Sequence, residues 1–380
     1  MSIKIGRRSF IKSASSAFVG ATFPPFWSAK HAWARAKEMP PPQYRILGRT
    51  GLKVTAVAMG VMNCSDPAVL HRAYDLGVNF FDTAHSYMAG RNEEMVGKVF
   101  RGKRDKILIQ TKIHLKPTER ENRASVETSL RRLQTDYVDV LLWHAFQTTQ
   151  EVSNPDAFEF MQKLKKEGKV RFHGFSTHDN VGPLLREAAK STIHDVAEIA
   201  YNFTHSKELR EAAGLAAESG IGVVAMKTQA GGYKSEKIGN LTPHQAALKI
   251  VLTNHSISTA IPGVKTIEQI DECVAVMGTQ LSTEDLQRLD QYGAYLHGRI
   301  CTLCGGCIGV CPQGVAHQDL LRAVMYRDGY QDIGLVTELF SDGDRMQQMK
   351  LCSNCSSCSI KCVRGLDIQA QLKSLHKMVS

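Results

Sequence analysis

Short apolar runs and amphipathic segments alternate along residues 44–293. Eight of the runs have the length and the β-branched or aromatic content of buried strands, whereas the segments between them repeat apolar positions with the helical period of 3.6 residues. The predicted strands are 55–60, 78–83, 106–112, 138–144, 170–176, 197–202, 222–227 and 257–263. An eighth helical segment, 267–278, follows the last strand. Eight strand–helix units predict a (β/α)8 barrel of the TIM type, which belongs to the α/β class.

Regions with other patterns flank the barrel and suggest a division into residues 1–36, 37–293 and 294–380. The barrel region opens with "YRILGRTGLKVT", whose glycine-containing turn predicts a hairpin that closes the barrel floor. In the last region, apolar residues at helical spacing predict two amphipathic helices, marked by Leu320, Leu321, Val324 and Met325 and then by Leu335, Val336 and Leu339. We therefore expect a small helical domain after the barrel.

Titratable side chains stand at the ends of four successive predicted strands. Asp82 ends the second strand and Tyr87 follows it, Lys112 ends the third, His144 the fourth and Ser176 the fifth. Barrel enzymes carry their active sites at the carboxyl ends of the strands, so these side chains predict an acid–base site. Further histidines near strand ends, His85, His114, His173 and His178, indicate a polar, wet barrel mouth, with a metal site or a proton relay as the alternative.

Eight of the ten cysteines form two runs with the spacing C-x2-C-x2-C-x3-C. The runs are Cys301, Cys304, Cys307 and Cys311, then Cys352, Cys355, Cys358 and Cys362. Disulfides within such a run are strained, and structural zinc usually takes two separated pairs. The spacing is the bacterial ferredoxin signature, in which the fourth cysteine ligates the other cluster. We therefore expect two 4Fe-4S clusters with crossed ligation, in a helical ferredoxin-like domain. The isolated Cys64 and Cys273 are predicted to be buried apolar side chains.

The N-terminal region has the composition of an export signal. Residues 1–36 contain six lysines and arginines and no acidic residue, and the pair Arg7–Arg8 precedes a weakly apolar stretch and small residues. "GRRSFIK" is similar to a twin-arginine motif, which predicts export of the folded chain to a bacterial periplasm. A disordered basic tail or a soluble helix is the alternative.

The overall charge changes this picture little. Removing the six N-terminal basic residues reduces the formal net charge from +10 to +4. The rest of the chain has no basic stripe interleaved with aromatic residues, so nucleic acid is not an expected partner. No apolar run approaches the roughly 20 residues of a membrane span.

The segments "FFDTAHSY", "ILIQTK", "YVDVLLWH", "GFST" and "AIPG" resemble the aldo-keto reductases over about 250 residues. With the cysteine-rich end, the resemblance is to the bacterial branch that carries a C-terminal iron–sulfur domain. It implies a catalytic tetrad of Asp82, Tyr87, Lys112 and His144. In that scheme Asp82 keeps Lys112 charged, Lys112 lowers the pKa of Tyr87, and His144 polarises the substrate oxygen.

The resemblance also implies a nicotinamide dinucleotide, NADP or NAD, across the barrel mouth. The matching positions are Ser176, Thr177, Glu198, Met226, Lys227, Gly263, Lys265, Gln269 and Glu272. Several depart from the common pattern: Thr177 replaces Asn, Glu198 replaces Gln, Met226 replaces Tyr, and Gly263 and Gln269 replace Lys and Arg. The lost cations weaken the preference for a 2′-phosphate, and hence for NADP.

Together these features predict an exported oxidoreductase that reduces a carbonyl compound, or oxidises an alcohol, and exchanges electrons through two clusters, with a redox protein as a possible partner. One alternative is an iron–sulfur electron-transfer protein whose barrel is a binding or docking module without dinucleotide-dependent turnover. Another is a cytoplasmic reductase whose clusters only brace the fold.

Overall fold

Eight parallel strands form the central sheet of the computed structural model, which describes residues 39–231, 241–341 and 343–379. The sheet closes on itself because Ala58 N–H donates to the oxygen of Ala260 and Ala260 N–H donates to the oxygen of Ala56, each at 2.9 Å. The (β/α)8 barrel is thereby confirmed. Its strands are β3 Met59–Gly60, β4 Phe80–Asp82, β5 Leu108–Ile113, β6 Val138–Trp143, β7 Val170–Thr177, β8 Val196–Ala200, β9 Gly222–Met226 and β10 Ile257–Ala260. The predicted export signal lies outside the described residues.

Helices surround the sheet and begin where the sequence supplies a cap. Thr118 and Glu121 form a reciprocal capping box at one helix start, and Thr242 with Gln245 forms another. The helices of this region are α1 Pro67–Asp75, α2 Arg91–Val99, α3 Glu119–Leu133, α4 Thr149–Val152, α5 Pro155–Lys166, α6 Val181–Ala189, α7 Lys207–Glu218, α8 Pro243–Thr253, α9 Ile267–Ala275 and α10 Thr283–Leu296. Their apolar faces pack on the strands, so the polar strand ends remain at the mouth.

The predicted floor hairpin is confirmed. Its strands, β1 Tyr44–Ile46 and β2 Lys53–Thr55, pair antiparallel. The tip approaches the start of β9 so closely that a Cβ atom on Gly48 would lie 2.2 Å from the backbone nitrogen of Gly222. Gly48 also has φ of +50°, which a larger residue adopts only with strain.

The C-terminal domain is helical, as predicted. Its helices are α11 His317–Val324, a π-helical turn Met325–Gly329, α12 Ile333–Leu339, α13 Gly343–Ser353 and α14 Ile368–Val379. They enclose a core that includes Leu320, Leu321, Val336, Leu372 and Leu375. The sequence predicted α11 and α12 but not α13. Among the described residues, no helix is both long enough and apolar enough to cross a membrane.

This domain packs directly on the mouth of the barrel. A Cβ atom on Gly329 would lie 1.7 Å from the oxygen of Gly231, so the two backbones touch. Asn202 donates to the oxygen of Thr302 at 2.9 Å. The backbone N–H of Met88 donates to Glu338 at 3.1 Å. The strand ends that carry the predicted acid–base site are therefore covered by the cysteine-rich domain.

Candidate active site and cluster-binding cysteines

A buried ion pair joins two neighbouring strands. Asp82 ends β4 and Lys112 lies in β5, and Nζ of Lys112 is 2.6 Å from both carboxylate oxygens of Asp82. The ammonium also donates to the oxygen of Thr83 at 3.0 Å, and its side chain is fully buried. Two of the four tetrad residues thus form a rigid charged centre inside the barrel.

A second carboxyl group shares this ammonium. Glu198 in β8 lies 3.3 Å from Nζ of Lys112, and the amide of Gln110 donates to Asp82 at 2.7 Å and to Glu198 at 2.6 Å. Burial raises the pKa of Glu198 to about 8, with a further contribution from Asp82 that Lys112 opposes. Burial acts to lower the pKa of Lys112, but the two carboxyl groups outweigh it and raise that pKa. At neutral pH the Glu198 carboxyl group beside this ammonium is therefore mainly protonated.

Tyr87 and His144 complete the group. The Tyr87 ring lies 5.2 Å from Nζ of Lys112, and the rings of Tyr87 and His144 meet edge-on at 5.8 Å between centroids. Lys112 acts to lower the pKa of Tyr87, as expected, but burial is the larger effect and the pKa is raised. Burial likewise holds the pKa of His144 well below its usual value. The structure thus brings the four residues of the predicted tetrad together. Within this group the tyrosine is protonated and the histidine is neutral at neutral pH.

A second tyrosine–lysine pair lies at the same mouth. Lys227 follows β9, and its Nζ is 3.1 Å from the hydroxyl of Tyr326 in the π-helical turn. The ammonium also faces the rings of Tyr326 at 4.7 Å and Tyr330 at 5.5 Å. Burial acts to raise the pKa of Tyr326, but Lys227 and Arg322 outweigh it and hold that pKa below its ordinary value. Sequence reasoning missed both tyrosines because nothing local shows that their helix covers the barrel.

A cavity of about 300 Å³ opens beside the tetrad. Tyr87 and Asp82 line it, and so do six of the nine predicted cofactor residues, Glu198, Met226, Lys227, Gly263, Lys265 and Gln269. Two further lining residues, Asn63 and Thr228, have buried side-chain oxygens without a hydrogen-bond partner among the described residues. Such orphaned acceptors fit a polar ligand in this cavity.

The other three predicted cofactor residues do not line this cavity. Ser176 accepts from the backbone N–H of Ala145 at 3.0 Å. Thr177 donates to the oxygen of Asp179 at 2.6 Å. Glu272 accepts from the hydroxyl of Thr242, the cap of α8. Each therefore has a partner within the barrel.

The additional histidines separate into two groups. His114 and His178 line a cavity at the mouth together with His144. His85 instead contacts Ser129 at 3.1 Å, and His173 contacts Gln162 at 3.0 Å on the helical side of the sheet. Among the described residues, no three His, Cys, Asp or Glu side chains converge on a single-ion site.

The two cysteine runs lie side by side, and their cysteines form no disulfides among the described residues. Ile308 and Lys361 form an antiparallel bridge between the runs, with N–H to oxygen distances of 2.9 and 2.8 Å. Burial raises the pKa of Cys307 to about 11, and the neighbouring Cys362 of the second run adds to the shift. Burial likewise raises the pKa of Cys352 to about 11, with Cys311 of the first run among its neighbours.

Cys307 and Cys352 thus each have the last cysteine of the other run among their neighbours, which agrees with the crossed pattern that ferredoxin spacing predicts. An iron–sulfur cube takes its thiolate ligands on separate irons, and the soft thiol donors of the two runs suit this chemistry. The isolated Cys64 and Cys273 are buried, as predicted.

Comparison with known proteins finds similarity in both domains. Residues 63–240 match the aldo/keto reductase family, and residues 300–367 match a 4Fe-4S dicluster domain. The chain thus contains a barrel segment similar to the aldo/keto reductase family and a C-terminal segment similar to 4Fe-4S dicluster domains.

Similar proteins match the barrel over most of their own length. The uncharacterized oxidoreductase YqkF of Bacillus subtilis is 26% identical over 299 residues, which cover 65% of this chain and 95% of YqkF. L-galactose dehydrogenase of Arabidopsis thaliana is 27% identical over 282 residues, which cover 62% of this chain and 88% of that protein.

Solved structures of aldo-keto reductases also match the barrel over most of their own length. The holo form of aldo-keto reductase AKR11C1 from Bacillus halodurans superimposes with a TM-score of 0.56 at 25% identity, covering 66% of this chain and 96% of the other. An aldo-keto reductase from Klebsiella pneumoniae in complex with NADPH superimposes with a TM-score of 0.55 at 25% identity, covering 65% of this chain and 94% of the other.

Proposed function

We propose that this protein reduces a carbonyl compound, or oxidises the corresponding alcohol, with NADP or NAD in the barrel and with electron transfer through two 4Fe-4S clusters in the C-terminal domain. The observation that carries the proposal is the placement of the tetrad. Tyr87, Lys112, Asp82 and His144 share one enclosed site, and the cluster domain forms its cover.

The side chains of the site have complementary roles in proton transfer. Tyr87 keeps its proton at neutral pH because burial raises its pKa, and Lys112 acts against this rise and so favours transfer of the proton to a developing alkoxide. Lys112 stabilises the phenolate that remains, and Asp82 holds the ammonium in place. Neutral His144 donates a hydrogen bond to the substrate oxygen. When bound, the nicotinamide supplies or accepts the hydride.

The cavity of about 300 Å³ is the proposed nicotinamide site. Its volume is at the lower end for small-molecule sites, and Asn63 and Thr228 offer it unpaired oxygens. Met226, Gly263 and Gln269 form part of its wall. The Klebsiella pneumoniae protein named above binds NADPH, which supports a phosphorylated dinucleotide here as well.

Two clusters are proposed on the basis of the crossed cysteines. Cys301, Cys304 and Cys307 would hold one cube together with Cys362, and the remaining four cysteines would hold the other. A cluster passes one electron at a time, so the pair suits exchange with a redox protein outside the molecule.

Export is part of the proposal. Residues 1–36 combine the twin-arginine pair with small residues near a cleavage point, and a route for folded proteins suits a cofactor inserted before export. We therefore propose a periplasmic location. The mass of the mature chain from a periplasmic extract tests it, since an uncleaved chain confined to the cytoplasm contradicts export.

The central experiment uses protein purified without oxygen. Iron, sulfide and dinucleotide contents are measured, and visible spectra are recorded before and after NADPH or NADH is added. Bleaching of the cluster absorption is expected if the barrel and the clusters exchange electrons. Tyr87→Phe is expected to abolish carbonyl reduction and leave the cluster spectrum intact. Tyr44→Phe, on an exposed hairpin residue, is the matched control and should retain both properties.

A specific contact favours the second candidate, an electron-transfer protein with a docking barrel. Lys265 in the predicted phosphate loop is paired with Asp332 of the cluster domain at 2.7 Å, and Lys227 is held by Tyr326. Two cations near the dinucleotide path therefore already have partners. Absence of dinucleotide binding in iron-replete protein, together with full activity of Tyr87→Phe in electron transfer, is the result that this candidate predicts.

A further inference from the structure

A second cavity, of about 490 Å³, lies between the barrel mouth and the cluster domain. Tyr87 and His144 of the tetrad line one side of it, and Arg322, Tyr326 and Arg345 of the C-terminal domain line the other. Its volume is within the range of small-molecule sites. The position beside the proton donor makes this cavity the place for the substrate.

Arg322 is the central polar side chain of this cavity. The residue is only 5% exposed, and its guanidinium donates to Asp319 and, at 3.0 Å, to the ring of His178. Its Nε is buried and has no hydrogen-bond partner among the described residues. A buried N–H without an acceptor is unfavourable, so this group has capacity for a ligand oxygen.

The charges that line the cavity leave an excess of one positive charge. Arg345 donates to the second carboxylate oxygen of Asp319, so two guanidinium groups share one carboxylate. Lys116 is a third cation in the lining, and Glu338 is the second acid. Of the three histidines in the lining, His144 and His178 add no charge at neutral pH, because burial holds the pKa of each well below the usual value.

We propose that the substrate carries a carboxylate next to its reacting carbonyl group, as a 2-oxo acid or the matching 2-hydroxy acid does. Arg322 holds the carboxylate, and the carbonyl oxygen faces Tyr87 and His144. This assignment rests on the proposed function and narrows its substrate class. A single carboxylate matches the single excess charge, whereas a phosphate group brings more negative charge than the lining balances.

The reduction balances with the groups named. The carbonyl π bond breaks, a hydride from the reduced dinucleotide adds to the carbonyl carbon, and a proton from Tyr87 adds to the oxygen. The products are a 2-hydroxy acid and the oxidised dinucleotide, and Tyr87 recovers a proton from solvent. The carboxylate is unchanged, so its role is to bind and orient the substrate.

The first test compares pyruvate with methyl pyruvate, in which a methyl ester replaces the acid group and removes its negative charge. In the natural protein, kcat/KM for pyruvate should exceed that for methyl pyruvate. Arg322→Gln should raise KM for pyruvate at least about tenfold, equivalent to about 1.4 kcal/mol, with a much smaller effect on methyl pyruvate. Arg327→Gln is the matched control, because Arg327 contacts Asp328 and Gln371 outside the cavity. Equal effects of Arg322→Gln on both substrates overturn the proposal.

The second test measures binding without turnover. Pyruvate, methyl pyruvate and inorganic phosphate are titrated calorimetrically into iron-replete Tyr87→Phe protein. Pyruvate is expected to bind most tightly, and adding Arg322→Gln should abolish that preference. If the natural protein turns over no carbonyl but this preference is found, the proposed function fails while the carboxylate site stands. Tighter binding of phosphate or of methyl pyruvate refutes the carboxylate assignment.

The cluster spectrum shows whether Arg322→Gln protein has assembled. If it has not, a more conservative variant provides the test. Arg322→Lys keeps a positive charge beside Asp319 but loses the Nε–H group that is free to donate to a ligand oxygen. It should bind pyruvate more weakly than the natural protein while methyl pyruvate binding is unchanged. Natural pyruvate affinity in Arg322→Lys contradicts direct binding by the guanidinium.

Discussion

The protonation of Glu198 is the sharpest consequence of the buried charge centre. Asp82 and Glu198 both lie against Nζ of Lys112, at 2.6 and 3.3 Å, which places the two carboxyl groups within about 6 Å of each other. With an effective dielectric constant of about 20, a charge at that distance contributes about 3 kcal/mol, or about two pKa units. Asp82→Asn removes this repulsion. The pKa of Glu198 should therefore fall from about 8 to about 6.

Infrared difference spectroscopy measures this titration directly. The carbonyl stretch of a protonated carboxylic acid should disappear with a midpoint near pH 8 in the natural protein and near pH 6 in Asp82→Asn. The band should be missing in Glu198→Gln, which assigns it. Asp105→Asn, at an exposed position, is the control and should leave the midpoint unchanged.

The proton on Glu198 also makes the free energy of unfolding depend on pH, and the direction of this dependence follows from the raised pKa. Because the pKa of Glu198 is higher in the folded state than its usual 4.5, the folded protein binds more protons between these values. Its contribution to stability is complete below about pH 4.5 and is lost as the pH rises through about 8, with a slope of up to about 1.4 kcal/mol per unit. Glu198→Gln should lack this slope. Amide exchange of the barrel strands, compared between variants at each pH, measures the difference without requiring two-state unfolding.

Two results would refute the reasoning. One is the absence of any carboxylic acid band at pH 7 that Glu198→Gln removes. The other is a midpoint that stays near pH 8 in Asp82→Asn, because the two carboxyl groups would then not interact.

Three further variants test the cover of the barrel and the cluster ligands. Cys362→Ser should remove the cluster of the first run and leave one paramagnetic signal on reduction, whereas two unchanged signals contradict crossed ligation. Gly329→Ala places a Cβ atom 1.7 Å from the oxygen of Gly231, so amide exchange near Gly231 should rise while the cluster absorption persists; unchanged exchange contradicts the close packing. Tyr326→Phe removes an acceptor from Lys227, a loss of about 1–3 kcal/mol, and should increase exchange in α11. If amide exchange in α11 of Tyr326→Phe is as slow as in the natural protein, the Lys227–Tyr326 pair does not hold the C-terminal domain on the barrel.

The placement of the tetrad follows from the sequence because parallel strands end at one edge. Asp82, Lys112 and His144 come at the ends of three consecutive strands, so closure of the barrel brings them together without any knowledge of side-chain contacts. The pairing of Glu198 with the same ammonium is different. It depends on a side chain from a strand on another side of the barrel, and only the closed sheet shows that contact.

Local pattern explains why some of the C-terminal helices were predicted and others were missed. Leu320, Leu321 and Val324 repeat at helical spacing, so α11 is evident from the sequence. The segment that forms α13 offers little apolar periodicity, with Met346 and Met349 as its main contacts to the core. Its helix depends on tertiary packing, which overrides weak local signals.

The burial of Arg322 could not be predicted for a more general reason. On α11 alone an arginine between apolar positions is expected to face solvent or extend along the helix surface. Here it is buried because His178 of the barrel lies against it, at a sequence separation of 144 residues. A contact of this kind has no local signature, and only the packing of the two domains reveals it.

The cavity of about 490 Å³, which is lined by both the barrel and the C-terminal domain, bears on the role of the clusters. A domain that only braced the fold would need no side chain in the substrate cavity, whereas this one contributes Arg322 and Tyr326 beside Tyr87. Helix α11 begins six residues after Cys311, and the π-helical turn that follows it ends before the second cysteine run, so the proposed cluster ligands lie on both sides of the segment that covers the barrel. Under the proposed function, loss of a cluster would therefore remove an anchor of the cavity wall as well as an electron carrier. For this reason the clusters and the barrel chemistry should fail together when iron is removed, even for a reaction whose electrons come from the dinucleotide.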